Sequence, residues 1–242
     1  MSYIFSIEGN IGSGKSTLVK ALKQHYESLN NFKNINVIFM EEPVSVWTEI
    51  KDKSGENMIE KFYKDQYKYA FSFQMMAYIS RLSMLKQCIR ENPNAIIICE
   101  RSLYTDKNVF AKMLYDEEKI EEVNYQIYLN WFDEFVEDIP KTGIIYVKAE
   151  PEISHSRVKL RARKGENIPL SYLENCHAYH ESWMKQEETD ILILDANENK
   201  STSKDYDLWI KTIIRFITYR SNNMNKNYLS NKTIEELSMY GC

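Results

Sequence analysis

This chain opens with an apolar strand, a glycine-rich loop and a helix start in immediate succession, an order that few architectures accept. Tyr3-Ile4-Phe5-Ser6-Ile7-Glu8 reads as a buried strand and runs into Gly9-Asn10-Ile11-Gly12-Ser13-Gly14-Lys15-Ser16-Thr17, which fits G-x-x-x-x-G-K-[ST]. Ser16 to Leu22 reads as the first turns of a helix. In that setting the glycines let successive backbone N–H groups point at phosphate oxygens, and the helix start adds partial positive charge. Lys15 is expected to reach the β- and γ-phosphates, and the Ser16 hydroxyl to ligate Mg²⁺. The loop predicts a nucleoside triphosphate and leaves open what the phosphate is used for.

The chain has 242 residues, 43% of them apolar, and a formal net charge of −4 at pH 7. That is enough for one sizeable core. No Pro-, Gly- or Ser-rich linker divides the first 220 residues, so 1–220 is expected to be one domain. Ser221–Cys242 is expected to be a polar, partly disordered tail. The acidic balance argues against a nucleic-acid polymer as partner. No apolar run reaches the length of a membrane span. With a strand so near the start, neither a signal peptide nor an Arg-rich presequence is expected. Cys88, Cys99, Cys176 and Cys242 lack the spacing of zinc or redox motifs and read as reduced thiols of a cytoplasmic protein.

Five apolar runs alternate with helical patterns: Tyr3–Glu8, Asn36–Glu41, Ala95–Glu100, Gly143–Lys148 and Ile191–Asp195. Continuous rather than alternating apolar character predicts parallel strands covered on both faces, hence a doubly wound α/β sheet with its site beyond the carboxyl ends of the strands. Charged residues stand at that edge. The second run leads into Glu42-Pro43, and the third into Glu100-Arg101-Ser102. A long helix is expected from Asn57 to about Arg90, with its aromatic and Met residues mostly in the core. Gln74 and Arg81, seven residues apart, share one of its faces. Gln74 is either a surface residue or an amide that reads a base edge. Arg157, Arg161 and Arg163, with Lys159 and Lys164, form a basic cluster after the fourth run. With a triphosphate already implied, an arginine lid over the transferring phosphoryl group is the better reading than a solvated face.

In this order and at these spacings the chain resembles the deoxynucleoside kinases from Tyr3 to about Phe216. The matching stretches are the loop Gly9–Thr17; Glu42-Pro43-Val44 with Trp47; Tyr63; Phe73-Gln74 and Arg81; Glu100-Arg101-Ser102 with Tyr104, Asp106 and Phe110; and Arg157 to Arg163, leading to Ile168-Pro169-Leu170 and Tyr172-Leu173-Glu174. The resemblance implies a P-loop NTPase-like three-layer fold, a five-stranded parallel sheet covered by helices on both faces, with an arginine-rich lid. It implies transfer of the γ-phosphate of ATP to a deoxynucleoside 5′-hydroxyl, with Mg²⁺, in a homodimer. Glu42 would be the base, Arg101 would bridge the 5′-oxygen and the phosphoryl group, and Glu100 would help Ser16 hold the metal. Tyr63 and Glu166 would hold the 3′-hydroxyl, with Tyr63 packed against the 2′ position. Gln74 would read the base, Phe110 would stack on it, and Trp47 and Phe73 would wall the pocket. The pair Arg81–Asp106, with the small Ala77 nearby, would favour a deoxypurine or deoxycytidine over thymidine. Deoxyadenosine stands slightly ahead of deoxyguanosine in this reading. Met75, Met76, Tyr78 and Met84 would serve either a dimer contact or the core.

Two rivals share the loop. A nucleoside monophosphate kinase needs a second anionic pocket for its acceptor. A nucleotide-dependent switch of the GTPase kind needs N-K-x-D, and Asn231-Lys232-Thr233-Ile234 lacks the Asp.

Overall fold

The computed structural model describes residues 2–30, 36–140, 143–163, 167–198 and 203–224. The chain begins with β1 (Tyr3–Glu8), all six residues buried, then the glycine loop and α1 (Lys15–Asn30). β2 (Val37–Met40), α2 (Val44–Glu49), α3 (Met58–Lys64) and α4 (Gln66–Glu91) lead to β3 (Ile96–Glu100). Next come α5 (Leu103–Thr105), a π-helical turn (Asp106–Ala111) and α6 (Lys112–Asp116), contiguous in sequence, followed by α7 (Glu122–Val136). The second half runs β4 (Gly143–Lys148), α8 (Pro151–Arg161), α9 (Leu170–Gln186), β5 (Ile191–Asp195) and α10 (Ser203–Met224).

Among the described residues the strands form one parallel sheet in the order β2-β3-β1-β4-β5. Period-two alternation sends neighbouring strand residues into two separate cores. Tyr3, Phe5, Ile7, Ile96, Ile98, Ile145 and Val147 pack with Leu18 and Leu22 of α1 and Ile213 and Ile217 of α10. Ile4, Ile97, Cys99, Ile144 and Tyr146 pack instead with α4, α7 and α9. Both faces of β1, β3 and β4 are covered, so these strands can be apolar throughout, whereas β2 is only half-buried and the edge strand β5 leaves Ile193 exposed. The chain leaves central β1 for β2 and β3 on one side, then crosses to β4 and β5 on the other. A crevice therefore opens beyond the carboxyl end of β1, where the glycine loop lies.

The long helix expected from Asn57 to Arg90 is two helices. Asn57 is a cap, not a helical residue: its Oδ1 accepts from Glu60 N–H at 3.0 Å, and its own N–H donates to Glu60 Oε2 at 2.9 Å. Asp65 breaks the run at φ −150° and caps α4 by accepting from Lys68 N–H. A short polar side chain that bonds nearby backbone competes with helix continuation, and here it wins. At the other end, α10 continues through Ser221, which is buried, to Met224. The tail therefore begins no earlier than residue 225, and 225–242 lie outside the described residues. Tyr78 belongs to the core, with its hydroxyl donating to Trp131 O at 2.9 Å, and offers no dimer contact.

Candidate active site

Three parallel strands deliver their C-terminal residues to one edge, and the glycine loop is built into that edge from behind. Gly12 has φ 82°, and a Cβ there would come within 2.4 Å of Ser154 O on α8. Only glycine serves both the left-handed backbone and the close approach. Asn10 is buried; its Nδ2 donates to Leu173 O of α9 at 2.8 Å, and its Oδ1 accepts from Ile11 N–H at 2.8 Å. Arg157 reaches Ser13 O at 3.3 Å and Glu198 O at 3.1 Å. Gly9, Asn10 and Ser13 thus shape the loop from outside the cavity, whereas Ile11, Gly12, Gly14, Lys15, Ser16 and Thr17 line it.

Lys15 is buried and donates to Asn10 O at 2.7 Å. Burial, helped by the nearby Arg101 charge, lowers its pKa to about 7. The Ser16 hydroxyl donates to Glu100 Oε1 at 2.6 Å, so the loop and the end of β3 already touch.

Beyond the loop lies a network of ions. Glu42 Oε1 is 3.1 Å from an Arg81 guanidinium nitrogen and 3.3 Å from Arg101 Nε. Burial pushes the Glu42 carboxyl up, but Arg101 and Arg81 outweigh it and hold it below the usual carboxylate value. Arg81 also grips Asp106 with Nε at 3.0 Å and donates to Glu100 O at 3.1 Å, so its guanidinium is held on three sides. Burial pushes the Asp106 carboxyl up against the pull of Arg81. Arg101 adopts φ 64°, a costly region for a side-chain-bearing residue. Its backbone N–H to Ile7 O at 3.0 Å and its side chain to Gly9 O at 2.9 Å hold it there.

The same cavity, about 370 Å³, continues into an aromatic chamber lined by Trp47, Tyr63, Phe73, Gln74, Ala77 and Phe110. Phe73 stacks on Phe62 at 4.5 Å and meets Trp47 edge-on at 5.7 Å. The Arg101 guanidinium lies 4.9 Å from the Phe110 ring centre. Gln74 is 2% exposed, and its Oε1 has no hydrogen-bond partner. A buried acceptor left open toward a chamber is an acceptor waiting for a donor. Arg157, Arg161 and Arg163 line the cavity's other side, from the end of α8 onward. Ala162 ends that helix in the left-handed conformation at φ 46°.

Glu166 lies outside the described residues. Ile59, Phe62 and Tyr172 also line the cavity; none was given a site role from the sequence, although Tyr172 belongs to one of the stretches that carry the resemblance. Ile59 and Phe62 resemble core positions of one long helix until the Asn57–Glu60 capping box is noticed, which starts a short helix aimed at the chamber. Tyr172 is signalled by Pro169, which places it in the first turn of α9. Among the described residues no cluster of three His, Cys, Asp or Glu side chains is poised to hold a metal. No helix among them is long and apolar enough to cross a membrane.

The family model described as deoxynucleoside kinase matches residues 5–218. The chain is 34% identical over 225 residues to deoxycytidine kinase of Mus musculus, spanning 80% of this chain and 84% of that protein. It is 35% identical over 199 residues to a probable deoxycytidine kinase of Fowlpox virus, spanning 79% and 77%. It is 31% identical over 205 residues to a mitochondrial deoxyguanosine kinase of Xenopus laevis, spanning 77% and 74%. With a match over nearly its whole described length, the chain belongs to the deoxynucleoside kinase family.

Proposed function

We propose that the protein transfers the γ-phosphoryl group of ATP to the 5′-hydroxyl of a 2′-deoxynucleoside. The observation that carries this reading is one continuous cavity: a phosphate loop at one end, an aromatic chamber with an open amide acceptor at the other, and Glu42 with Arg101 between them. Glu42 accepts the 5′-hydroxyl proton as that oxygen bonds to the γ-phosphorus and the bond to the β-phosphate oxygen breaks, releasing ADP. Charge spreads over the phosphoryl oxygens in such a transition state, and Lys15, Arg101, Arg157, Arg161 and Arg163 are the cations that line the space around it. Tyr63 and Glu166 complete the sugar contacts in this reading.

Magnesium takes few protein ligands and keeps phosphate oxygens and waters. The paired oxygens of Ser16 and Glu100 fit that habit better than a preformed cage would. Bound with the triphosphate, the ion supplies neutralisation of phosphate charge.

Gln74 can meet the amino donor and ring-nitrogen acceptor of adenine or cytosine, or, with its amide turned, the carbonyl acceptor and ring N–H donor of guanine or thymine. Arg81 narrows the choice. Held on three sides, it gives this end of the cavity a fixed charged wall, which suits a base carrying amino and ring-nitrogen groups better than one carrying a methyl group. In this proposal the acceptor is a deoxypurine or deoxycytidine rather than thymidine, with deoxyadenosine slightly ahead of deoxyguanosine among the purines. Relatives named for deoxycytidine and deoxyguanosine keep those two nucleosides in the set. The deciding experiment measures ATP-dependent phosphorylation of the four deoxynucleosides and of deoxyadenosine monophosphate. Thymidine as best substrate ends the base assignment. The monophosphate outrunning deoxyadenosine makes this a monophosphate kinase, and slow hydrolysis without transfer makes it a switch.

A homodimer belongs to the same reading. Val123, Ile127, Trp131 and Phe135 recur every four residues along α7, all exposed, and α4, which packs against α7 through Tyr78, leaves Ile79 exposed as well. Such a stripe suits a second copy of the same surface. A cytoplasmic setting agrees with the free, buried Cys88, Cys99 and Cys176.

A further inference from the structure

Glu8 ends β1 one residue before the phosphate loop and has no part in the chemistry above. Its side chain is fully buried, on the strand face it shares with Ile4. Oε2 accepts a hydrogen bond from the Thr105 hydroxyl, whereas Oε1 has no hydrogen-bond partner. A buried carboxylate with one oxygen unsatisfied is costly, and packing alone would be better served by an apolar residue. Something else has to be gained from the bond that Glu8 does make.

Thr105 is also fully buried and stands at a junction. Its N–H donates to Ser102 Oγ at 3.3 Å, and its hydroxyl accepts from Ser102 N–H at 3.5 Å, closing the start of α5. The next residue, Asp106, begins the π-helical turn and grips Arg81. Phe110, on the same turn, lines the aromatic chamber and carries Arg101 against its ring. A π turn is a rare, weakly self-supporting form of helix, so an outside tether matters more to it than to an α-helix.

We propose that Glu8 is a positioning residue: through the Thr105 hydroxyl, its buried carboxylate holds the turn bearing Asp106 and Phe110 against the root of the phosphate loop. This inference rests on the deoxynucleoside kinase reading, because it assigns Asp106 and Phe110 to the acceptor side. Arg101 makes the neighbouring ties, from its side chain to Gly9 O and from its backbone to Ile7 O. The Glu8–Thr105 bond extends that clasp to the base end of the cavity, and so sets the distance from nucleoside to triphosphate.

Steady-state kinetics of Thr105→Val and Thr105→Ser test this. Valine keeps the shape and removes the hydroxyl; serine keeps the hydroxyl. For Thr105→Val, KM for the deoxynucleoside rises about tenfold, the effect of losing one hydrogen bond to a charged group, while KM for ATP stays within about twofold. Thr105→Ser restores the deoxynucleoside KM to within about twofold of wild type. Unchanged KM values in Thr105→Val, equal shifts in both, or a serine variant as impaired as the valine variant each overturn the proposal. A fall in melting temperature with normal KM values overturns it as well, since that is packing alone. If Thr105→Val does not fold, the double variant Glu8→Gln/Thr105→Val removes the stranded charge and must show the same selective rise in KM; normal KM values there overturn the proposal. A wild-type protein that phosphorylates no deoxynucleoside refutes the proposed function itself, and this inference with it.

Discussion

Glu42 is clamped by two arginines, and that bears directly on the part proposed for it as a base. Its carboxyl titrates below the usual range, so it is ionised throughout the physiological range and is a weak proton acceptor by basicity alone. A loose phosphoryl-transfer transition state asks mainly for position, which the clamp supplies. Glu42→Gln is therefore expected to lower kcat about 100-fold while leaving KM for the deoxynucleoside nearly unchanged. Lys15 carries the opposite lesson. It is an ammonium buried beside Arg101, with its pKa lowered to about 7 from 10.5. Between those values the unfolded chain binds more protons than the folded one, so this group makes the ligand-free protein more stable as pH rises from about 7 to 10.5. A bound triphosphate favours the charged form. Titration calorimetry of ATP binding above pH 7, in buffers of different ionisation enthalpy, should thus show proton uptake. Lys15→Met should abolish the uptake, weaken ATP binding and raise the melting temperature of the empty protein at neutral pH.

At the scale of elements, short polar residues decide where helices start, and so which side chains face the chamber. Asn57 and Glu60 cap α3, a helix of seven residues that brings Ile59, Phe62 and Tyr63 to the cavity. A helix that short depends on its caps and its packing. Asn57→Ala is expected to cost about 1 kcal/mol in urea unfolding. It should also raise KM for the deoxynucleoside several-fold, with KM for ATP unaffected, since α3 lines only the acceptor end. Strands were easier to read than helices. Five continuous apolar runs read as parallel strands, and their observed bounds differ from the expected ones by a residue at most at either end. The division of 57–91 at Asp65 was hidden because the apolar period continues across the break while the backbone does not. The π turn at Asp106–Ala111 was hidden for a related reason: one widened turn leaves no mark in the pattern of apolar residues.

For the whole molecule, the parallel sheet is what makes a site. Its carboxyl-end edge collects Glu8, Glu42, Glu100 and Arg101 from three strands and the connections that leave them, and two helical layers close around that edge. The apolar stripe on α7 lies on the outside of this arrangement. Trp131 and Phe135 stack on one another at 5.6 Å with large areas open to solvent. Trp131→Glu is expected to convert a dimer into a monomer in sedimentation velocity, with the deoxynucleoside KM changed little because α7 does not line the cavity. A wild-type protein that sediments as a monomer at micromolar concentration removes the dimer from the proposal.

Residue order alone specified the phosphate loop, the strands and the identity of the charged groups at their ends, because these are local: a glycine's allowed φ, a run of apolar side chains, a lysine at a set distance from a helix start. Most of the pocket residues were also legible in order along the chain. Their partners were not. That Arg81 would be held by Glu42, Asp106 and the Glu100 carbonyl, or that Glu8 would meet Thr105 across 97 residues, depends on which strands become neighbours and on how the helices settle over them. Those contacts follow from sheet order and packing, where side chains far apart in sequence compete for the same space, and no local pattern records the outcome.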